Sequence, residues 1–278
     1  MDAIVNDAPA ALLMRAYLHD SAQLALVLGT GLNAAMYIPV SALGCDKFGS
    51  RSEPSPQQAT HVVVNAELSM FGKDIFPLTR WDVALNDMSM QPDFQPLEQL
   101  VGGRYLGEIV RLILVEAVQT AGLFASGVPE HLYEPYSLST ETMSIIETDT
   151  SSSLSVARAQ FKVKPAGATY PDLRFVRHVC ALVMKRAAAF VATALHALWT
   201  VTTVADGRPA SSAGRLTIGC TGSVIEKYPG FKSAVQQYLD PLVEMSGGKP
   251  HSLTLELAVE SAVSGAAVAI ALAEAEGA

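Results

Sequence analysis

The chain has 278 residues, half of them hydrophobic, and a formal net charge of -8, which is enough apolar side chain for one large core or two modest ones. No Lys/Arg cluster exceeds a dipeptide, so the charge pattern excludes nucleic acid and an anionic membrane as main partners and favours a small or neutral ligand. Cys45, Cys180 and Cys220 form no CxxC pair and stand near no zinc-spaced His, and the opening MDAIVNDAPA lacks a basic segment followed by an apolar one, so the expected compartment is reducing and cytoplasmic.

In chain order, Ile4 to Asn6 reads as a short strand feeding a helix that carries Pro9 in its first turn. Leu24 to Leu28 and Ala34 to Ile38 read as strands joined by the hairpin signal Gly29-Thr30-Gly31-Leu32-Asn33, with a further strand at His61 to Ala66. Gly44 to Thr60 lacks periodicity and reads as a loop. Leu97, Leu100, Val101, Leu106, Ile109, Val110 and Ile113 recur at helical spacing, which predicts one long amphipathic helix from Gln95 to Ala121, ended by Gly122. Ala125 to Gly167, with its Ser/Thr-rich run Thr148 to Ser153, is expected to be an irregular surface excursion. A helix follows from Asp172 to about Val204. Its stretch Ala187 to Ala205 has the length of a membrane span, but His196, the threonines and the charged flanks Lys185, Arg186 and Asp206 favour a buried core helix. Then come a strand at Leu216 to Gly219, a helix from Gly222 to Met245 broken at Pro229-Gly230, a strand at Ser252 to Ala258 and a helix from Val263 to Glu274 with a solvated acidic tail. Three successive strands followed by alternation indicate a single α/β domain over residues 1–278, with one antiparallel ribbon.

Asp7 follows the first expected strand at its carboxyl end, where open α/β sheets place ligands, and is a candidate base. The plain alternative is a helix-capping Asp, a role that Ala8-Pro9 suits. Gly29-Thr30-Gly31 is either a simple turn or a backbone cradle for phosphate oxygens. Asn33, Asn65, Glu67 and Glu98 fall at strand ends or on the helix that follows. Singly each is an ordinary surface residue, whereas converging carboxylates and amides suit the hydroxyls of a polyol. The six histidines form no HxH or HExxH pattern, no Ser sits in a GxSxG elbow, and no metal site is assigned.

These pieces stand in the order of the hexokinase family. Ile4-Val5-Asn6-Asp7 resembles the family strand that ends in Asn-Asp, and Leu28 to Ala34 resembles its G-T-G-x-N-A hairpin. Asn65-Ala66-Glu67 with Phe71-Gly72 resembles its N-x-E segment, and Leu97 to Arg111 is the most specific stretch. Thr221 to Phe231 is similar to the adenosine motif. The resemblance implies a ribonuclease-H-like (actin-type ATPase) fold, a mixed sheet flanked by helices forming one half of a hexokinase. It further implies that Asp7 takes the proton of the sugar hydroxyl and that Asn6, Asn33, Glu67 and Glu98 bind the sugar, with Asn65 a further candidate beside them. Gly29, Thr30, Gly31, Gly222 and Ser223 would be a vestigial nucleotide site.

Departures from the pattern concern ATP. The smaller lobe's D-x-G-G-T-N loop and Ser/Thr-Lys have no counterpart in the 278 residues. Where the family has Asn-Asp-Thr-x-Gly-Thr the chain has Asn6-Asp7-Ala8-Pro9-Ala10-Ala11, Thr221 replaces an Asp, and the Gly-rich turn before the last helix is Glu260 to Gly265. The expectation is a truncated hexokinase-like protein, a pseudokinase or regulator that keeps a sugar pocket without competent phosphoryl transfer. The alternatives are a non-kinase acid/base catalyst (isomerase, dehydratase or cyclase) using Asp7, and residual hexokinase activity. No cofactor is assigned, ATP and Mg entering only if kinase activity persists. The expected partners are a small polyol-like molecule and a second copy of the chain, or another protein, over the open face.

Overall fold

The computed structural model describes residues 4–19, 21–44, 60–124, 129–161, 168–207, 209, 211, 214–258 and 261–277. Most of the expected loop between Gly44 and Thr60, with Cys45, lies outside them, as do Glu260 and the side chains of the acidic tail.

Strands β1 (Ala22–Leu28), β2 (Leu32–Pro39), β3 (His61–Asn65), β4 (Leu216–Thr221) and β5 (Leu253–Leu257) form a five-stranded sheet in the order β3-β2-β1-β4-β5. β2 runs antiparallel to both neighbours, and β4 is parallel to β1 and β5. Strand periodicity decides which face each residue serves. Leu24, Leu26, Leu28 and Ala34 point into the main core. Ala25 and Ala35 point to the opposite face, against Ala8, Ala11 and Leu12 of helix α1 (Asp7–Leu18). Asn33 is two residues from Ala35 and opposite Val27 in the hairpin register, and Asn65 pairs with Ala35. Both amides therefore share the face that carries α1.

The strand expected at Ile4 to Asn6 does not form. These residues are outside any strand, Ile4 is 85% exposed, and Asn6 is instead the N-cap of α1, with extended backbone and a side chain that accepts from Ala8 N. A strand requires a paired neighbour, and β-like dihedrals at a helix cap resemble one in sequence. Asp7 thus stands in the first turn of a helix.

The helix expected from Gln95 to Ala121 is two. After α2 (Arg80–Asp87) come α3 (Pro96–Val101) and α4 (Leu106–Ala121). The break turns backbone donors outward: Gly103 N donates to Gly29 O (2.8 Å) and Arg104 N to Thr30 O (3.1 Å). A β-carbon on Gly103 would stand 2.6 Å from Gly29 O, so the two turns pack this closely only with glycine there.

The expected excursion from Ala125 to Gly167 is helical in part and contributes side chains to the core, although many of its described residues are exposed. It contains α5 (Thr140–Glu147) and α6 (Ser155–Gln160), with Met143, Ile146, Leu154, Ala157 and Phe161 buried. Spacings of three and four in a Ser/Thr-rich background carry too little apolar contrast to be read as helix. Glu108 and Arg111 of α4 pin this segment. They form a buried bidentate pair, Arg111 Nη1 donates to Leu132 O (2.6 Å), and Tyr136 N donates to Glu108 Oε2 (2.6 Å).

α7 (Tyr170–Ala205) starts with a Thr169/Asp172 capping box. By length and composition it is able to cross a membrane, yet most of its apolar window is buried inside this fold, as a core helix would be. The remaining helices are α8 (Ser223–Lys227), α9 (Phe231–Met245), which packs on α7, and α10 (Ser261–Gly277), which crosses α1 at Gly265.

Candidate functional site

The β1–β2 turn, the end of β3, the start of α1 and the start of α3 surround an open cleft of about 390 Å³. Asn6, Asp7, Gly29, Thr30, Gly31, Asn33, Glu67 and Glu98 line it, and Asn65 is hydrogen-bonded to two of them, Asn33 and Glu67. Residues spread over more than ninety positions of sequence thus meet at one place.

Hydrogen bonds connect them. Asn33 Nδ2 donates to Asn65 Oδ1 (2.9 Å) and to Asn6 Oδ1 (3.2 Å), while Asn33 Oδ1 accepts from Ala34 N (2.7 Å) and Leu68 N (3.3 Å). Asn65 Nδ2 donates to Glu67 Oε1 (2.6 Å). Ala8 N donates both to Asn6 Oδ1 (3.1 Å) and to Asp7 Oδ1 (2.8 Å). Glu98 Oε2 accepts from Leu32 N (2.8 Å).

Local backbone explains the placement. Glu67 has φ 47°, a left-handed conformation that aims its carboxylate back toward Asn65, and Gln95 before α3 has φ 55°. Such conformations cost non-glycine residues of order 1–3 kcal/mol and cluster at functional sites. At Gly31 a β-carbon would come within 2.5 Å of Glu98 Oε2, so the bare glycine makes room for that carboxylate. Tyr105 has its hydroxyl pKa pushed up, first by burial and then by the charge of Glu98 beside it. Ser69, buried at 1% exposure, and Gln95 also line the cleft. Neither carries a sequence signal, since each is a single polar residue outside any motif.

A second cavity, of about 650 Å³, meets the first at Thr30 and is lined by Arg104, Tyr136, Thr140, Ser223, Lys227 and Tyr228 among others. The Arg104 guanidinium lies 5.0 Å from the centre of the Tyr136 ring. Of the residues expected to cradle a nucleotide, Gly29 and Gly31 line the polar cleft, Thr30 lines both cavities and Ser223 lines the second. Gly222, at φ 115°, packs against the backbone of Leu28 and Gly29. Its N–H (2.8 Å) and the Thr221 hydroxyl (2.9 Å) both donate to Glu226 Oε1. Among the described residues no group of three or more His, Cys, Asp or Glu is arranged to hold a metal ion.

The strand order, the single antiparallel partner, helices on both sheet faces and a polar cleft at the β1–β2 turn define an α/β protein of the ribonuclease-H-like, actin-type ATPase fold. Residues 23–272 match the hexokinase family model, and the chain belongs to the hexokinase family. Hexokinase-1 of Saccharomyces cerevisiae is 28% identical over 279 residues, covering 98% of this chain and 55% of its own length. Hexokinase-5 of Oryza sativa is 31% identical over 244 residues, covering 87% and 47%. The solved Schistosoma mansoni hexokinase complexed with glucose superposes with a TM-score of 0.76 at 27% identity, over 97% of this chain and 57% of that one. The chain spans about half the length of the curated relatives it matches.

Proposed function

We propose that the chain is a hexose-binding member of its family, and that these 278 residues on their own transfer phosphate poorly. The observation that carries the reading is the convergence of Asp7, Glu67 and Glu98 with the amides of Asn6, Asn33 and Asn65 on one cleft. Carboxylates accept from sugar hydroxyls in strong charge-assisted bonds, while an amide N–H donates to the same hydroxyl oxygen. The similar Schistosoma mansoni hexokinase was solved in complex with glucose. Asp7, one of whose oxygens is held by Ala8 N, is the residue proposed to receive the hydroxyl proton.

Weak phosphoryl transfer is supported by what surrounds the second cavity. Catalysis of that step rests on donors and cations positioned around phosphates. Next to Ser223, which lines that cavity, the donors at Thr221 and Gly222 are already satisfied by the Glu226 carboxylate, which adds negative charge beside them. Ala8 and Ala11, which stand where the family has Thr, offer no hydroxyl. Such a protein acts as a sugar-responsive regulator, and the apolar side chains exposed between Met70 and Phe94 support association with a second copy, which a monomeric mass in light scattering at micromolar concentration would exclude.

The test is thermal unfolding with and without glucose. A ligand at 100 times its Kd stabilises by about 2.7 kcal/mol, a shift of several degrees for a chain of this size. Absence of any shift with glucose and other aldohexoses sinks the binding claim. Robust glucose 6-phosphate formation with ATP and Mg sinks the second claim and leaves the first standing.

A further inference from the structure

We infer that the outer face of the N-terminal half of α7 is a docking surface for a short acidic segment of a partner protein. Tyr170, Arg174, Phe175, Arg177 and His178 fall on one broad side of the helix, at spacings of three and four, and line an open depression of about 610 Å³. The same exposed face continues to Leu182 and Lys185, a stripe about 22 Å long at the helical rise of about 1.5 Å per residue. Its apolar members stand out in solvent: Tyr170 is 47%, Phe175 41% and Leu182 51% exposed.

The arginines set this stripe apart. In a chain of net charge -8, other arginines are neutralised in place, Arg15 by Glu256, Arg80 by Glu116, Arg111 by Glu108 and Arg186 by Asp82. Among the described residues, Arg174 and Arg177 have no carboxylate partner. The acids nearby are engaged elsewhere: Asp172 Oδ2 accepts from Thr169 N (2.7 Å) in the helix cap, and Glu147 Oε2 accepts from the Tyr228 hydroxyl (2.6 Å). Arg177 is nonetheless anchored, because its Nε donates to the Glu147 backbone oxygen (2.9 Å) at the end of α5. That bond leaves both Nη groups, the fork that grips a carboxylate in a bidentate pair. The Arg174 guanidinium lies 6.0 Å from the centre of the Tyr170 ring, in the same depression.

These features choose the occupant. Guanidinium groups without a partner on an acidic protein match carboxylates, and the aromatic and aliphatic side chains among them match an apolar residue of the same segment. A small anion would stay mostly in water in so open a depression, whereas sites for small ligands enclose most of the ligand. Nucleic acid and anionic lipid call for a broad basic footprint, which the net charge of the chain opposes. No residue of the stripe lines the polar cleft or the cavity beside it, so the surface is independent of the sugar reading.

The experiment selects a phage-displayed library of random dodecapeptides on the wild-type protein and measures the recovered peptides by fluorescence anisotropy. Expected are peptides with Asp or Glu on both sides of an aromatic residue or Leu, with a Kd that rises as salt is added and rises at least about tenfold in Arg174→Glu/Arg177→Glu. Lys232→Glu/Lys249→Glu reverses the same number of charges away from the stripe and is expected to weaken binding less than about threefold. Because Arg177 also anchors α5, Arg174→Glu/His178→Glu keeps that bond and gives the same answer if the first variant does not fold. Exchanging the acids of a recovered peptide for Lys should restore binding to the charge-reversed protein, which a folding defect would not allow. Peptides without an acidic bias, or equal losses in the stripe variants and the Lys232/Lys249 control, overturn the inference. It is also overturned if tripolyphosphate displaces the peptides at micromolar concentration, which makes the depression a small-anion site, or if phosphatidylserine-containing vesicles retain the wild type and not the stripe variant. Self-association in light scattering that disappears in Arg174→Glu/Arg177→Glu assigns the stripe to a second copy of the chain and overturns it as well.

Discussion

Replacing Gly31 with Ala perturbs the cleft without touching a polar atom. The new β-carbon would stand 2.5 Å from Glu98 Oε2 and 3.1 Å from its Cδ, where ordinary contact begins at 3.4 Å. Gly31 is outside the left-handed region, so alanine brings no backbone strain. The obstacle is the end of a side chain, which moves. A displacement of about 0.9 Å removes the clash, and it carries Oε2 away from Leu32 N, now 2.8 Å distant. A hydrogen bond to a charged group contributes about 1.5–3 kcal/mol. If a sugar hydroxyl depends on the same carboxylate, its loss weakens binding about ten- to a hundredfold, at 1.4 kcal/mol per decade. The cost to folding is about 1 kcal/mol, a few degrees of Tm. Isothermal titration with glucose on wild type, Gly31→Ala, Glu98→Gln and the double variant reads both effects. Because the two substitutions act on one carboxylate, their losses must be strongly sub-additive. Unchanged affinity in Gly31→Ala, or fully additive losses, would refute the placement of Glu98 as a sugar ligand.

Other consequences follow from the core. Glu108→Ala leaves the Arg111 guanidinium buried without its partner, so urea unfolding should show a loss of about 3–5 kcal/mol, largely recovered in Glu108→Leu/Arg111→Met. At Asp149 burial raises the carboxyl pKa, but hydrogen bonds from Ser151 and Ala157 outweigh it and hold the value below the ordinary range. The stabilisation from Asp149 is therefore complete above about pH 4 and disappears as pH falls through the folded value. In calorimetry, Asp149→Asn should be less stable than wild type at pH 7, and the gap should close below pH 4. The buried thiols of Cys180 and Cys220 have their pKa values raised by desolvation. Peptide mapping after treatment with a thiol reagent at pH 8 should find both unlabelled in the native protein and labelled in urea.

The parts of this protein legible in its sequence are those whose signal is local. Alternation in Leu24 to Leu28 and Ala34 to Ile38, with glycines between them, suffices for the hairpin, because strand faces and turn chemistry are set within a few residues. The polar residues of the cleft are visible as motif positions in order along the chain. Their joining is not, for it depends on the β2–β3 register that sets Asn65 opposite Ala35, beside Asn33, and on a capped helix start that brings Asn6 to Asn33. The same limit explains the misread segments. Asn6 has the extended backbone of a strand but caps a helix, and the apolar period from Gln95 to Ala121 runs through a break at Gly102-Gly103 whose freed donors are taken by the carbonyls of Gly29 and Thr30, some seventy residues away. The helices between Thr140 and Gln160 owe their burial to α4 and α7, partners that no window of sequence contains. Sequence alone determined the family, the hairpin and the cleft positions that fall in motifs, since these are carried by order and periodicity, whereas the strand order and the cleft residues Ser69 and Gln95 came only with the folded chain. Tertiary packing alone decided which oxygen and which nitrogen each amide presents, because that choice belongs to the hydrogen-bond partner and not to the residue.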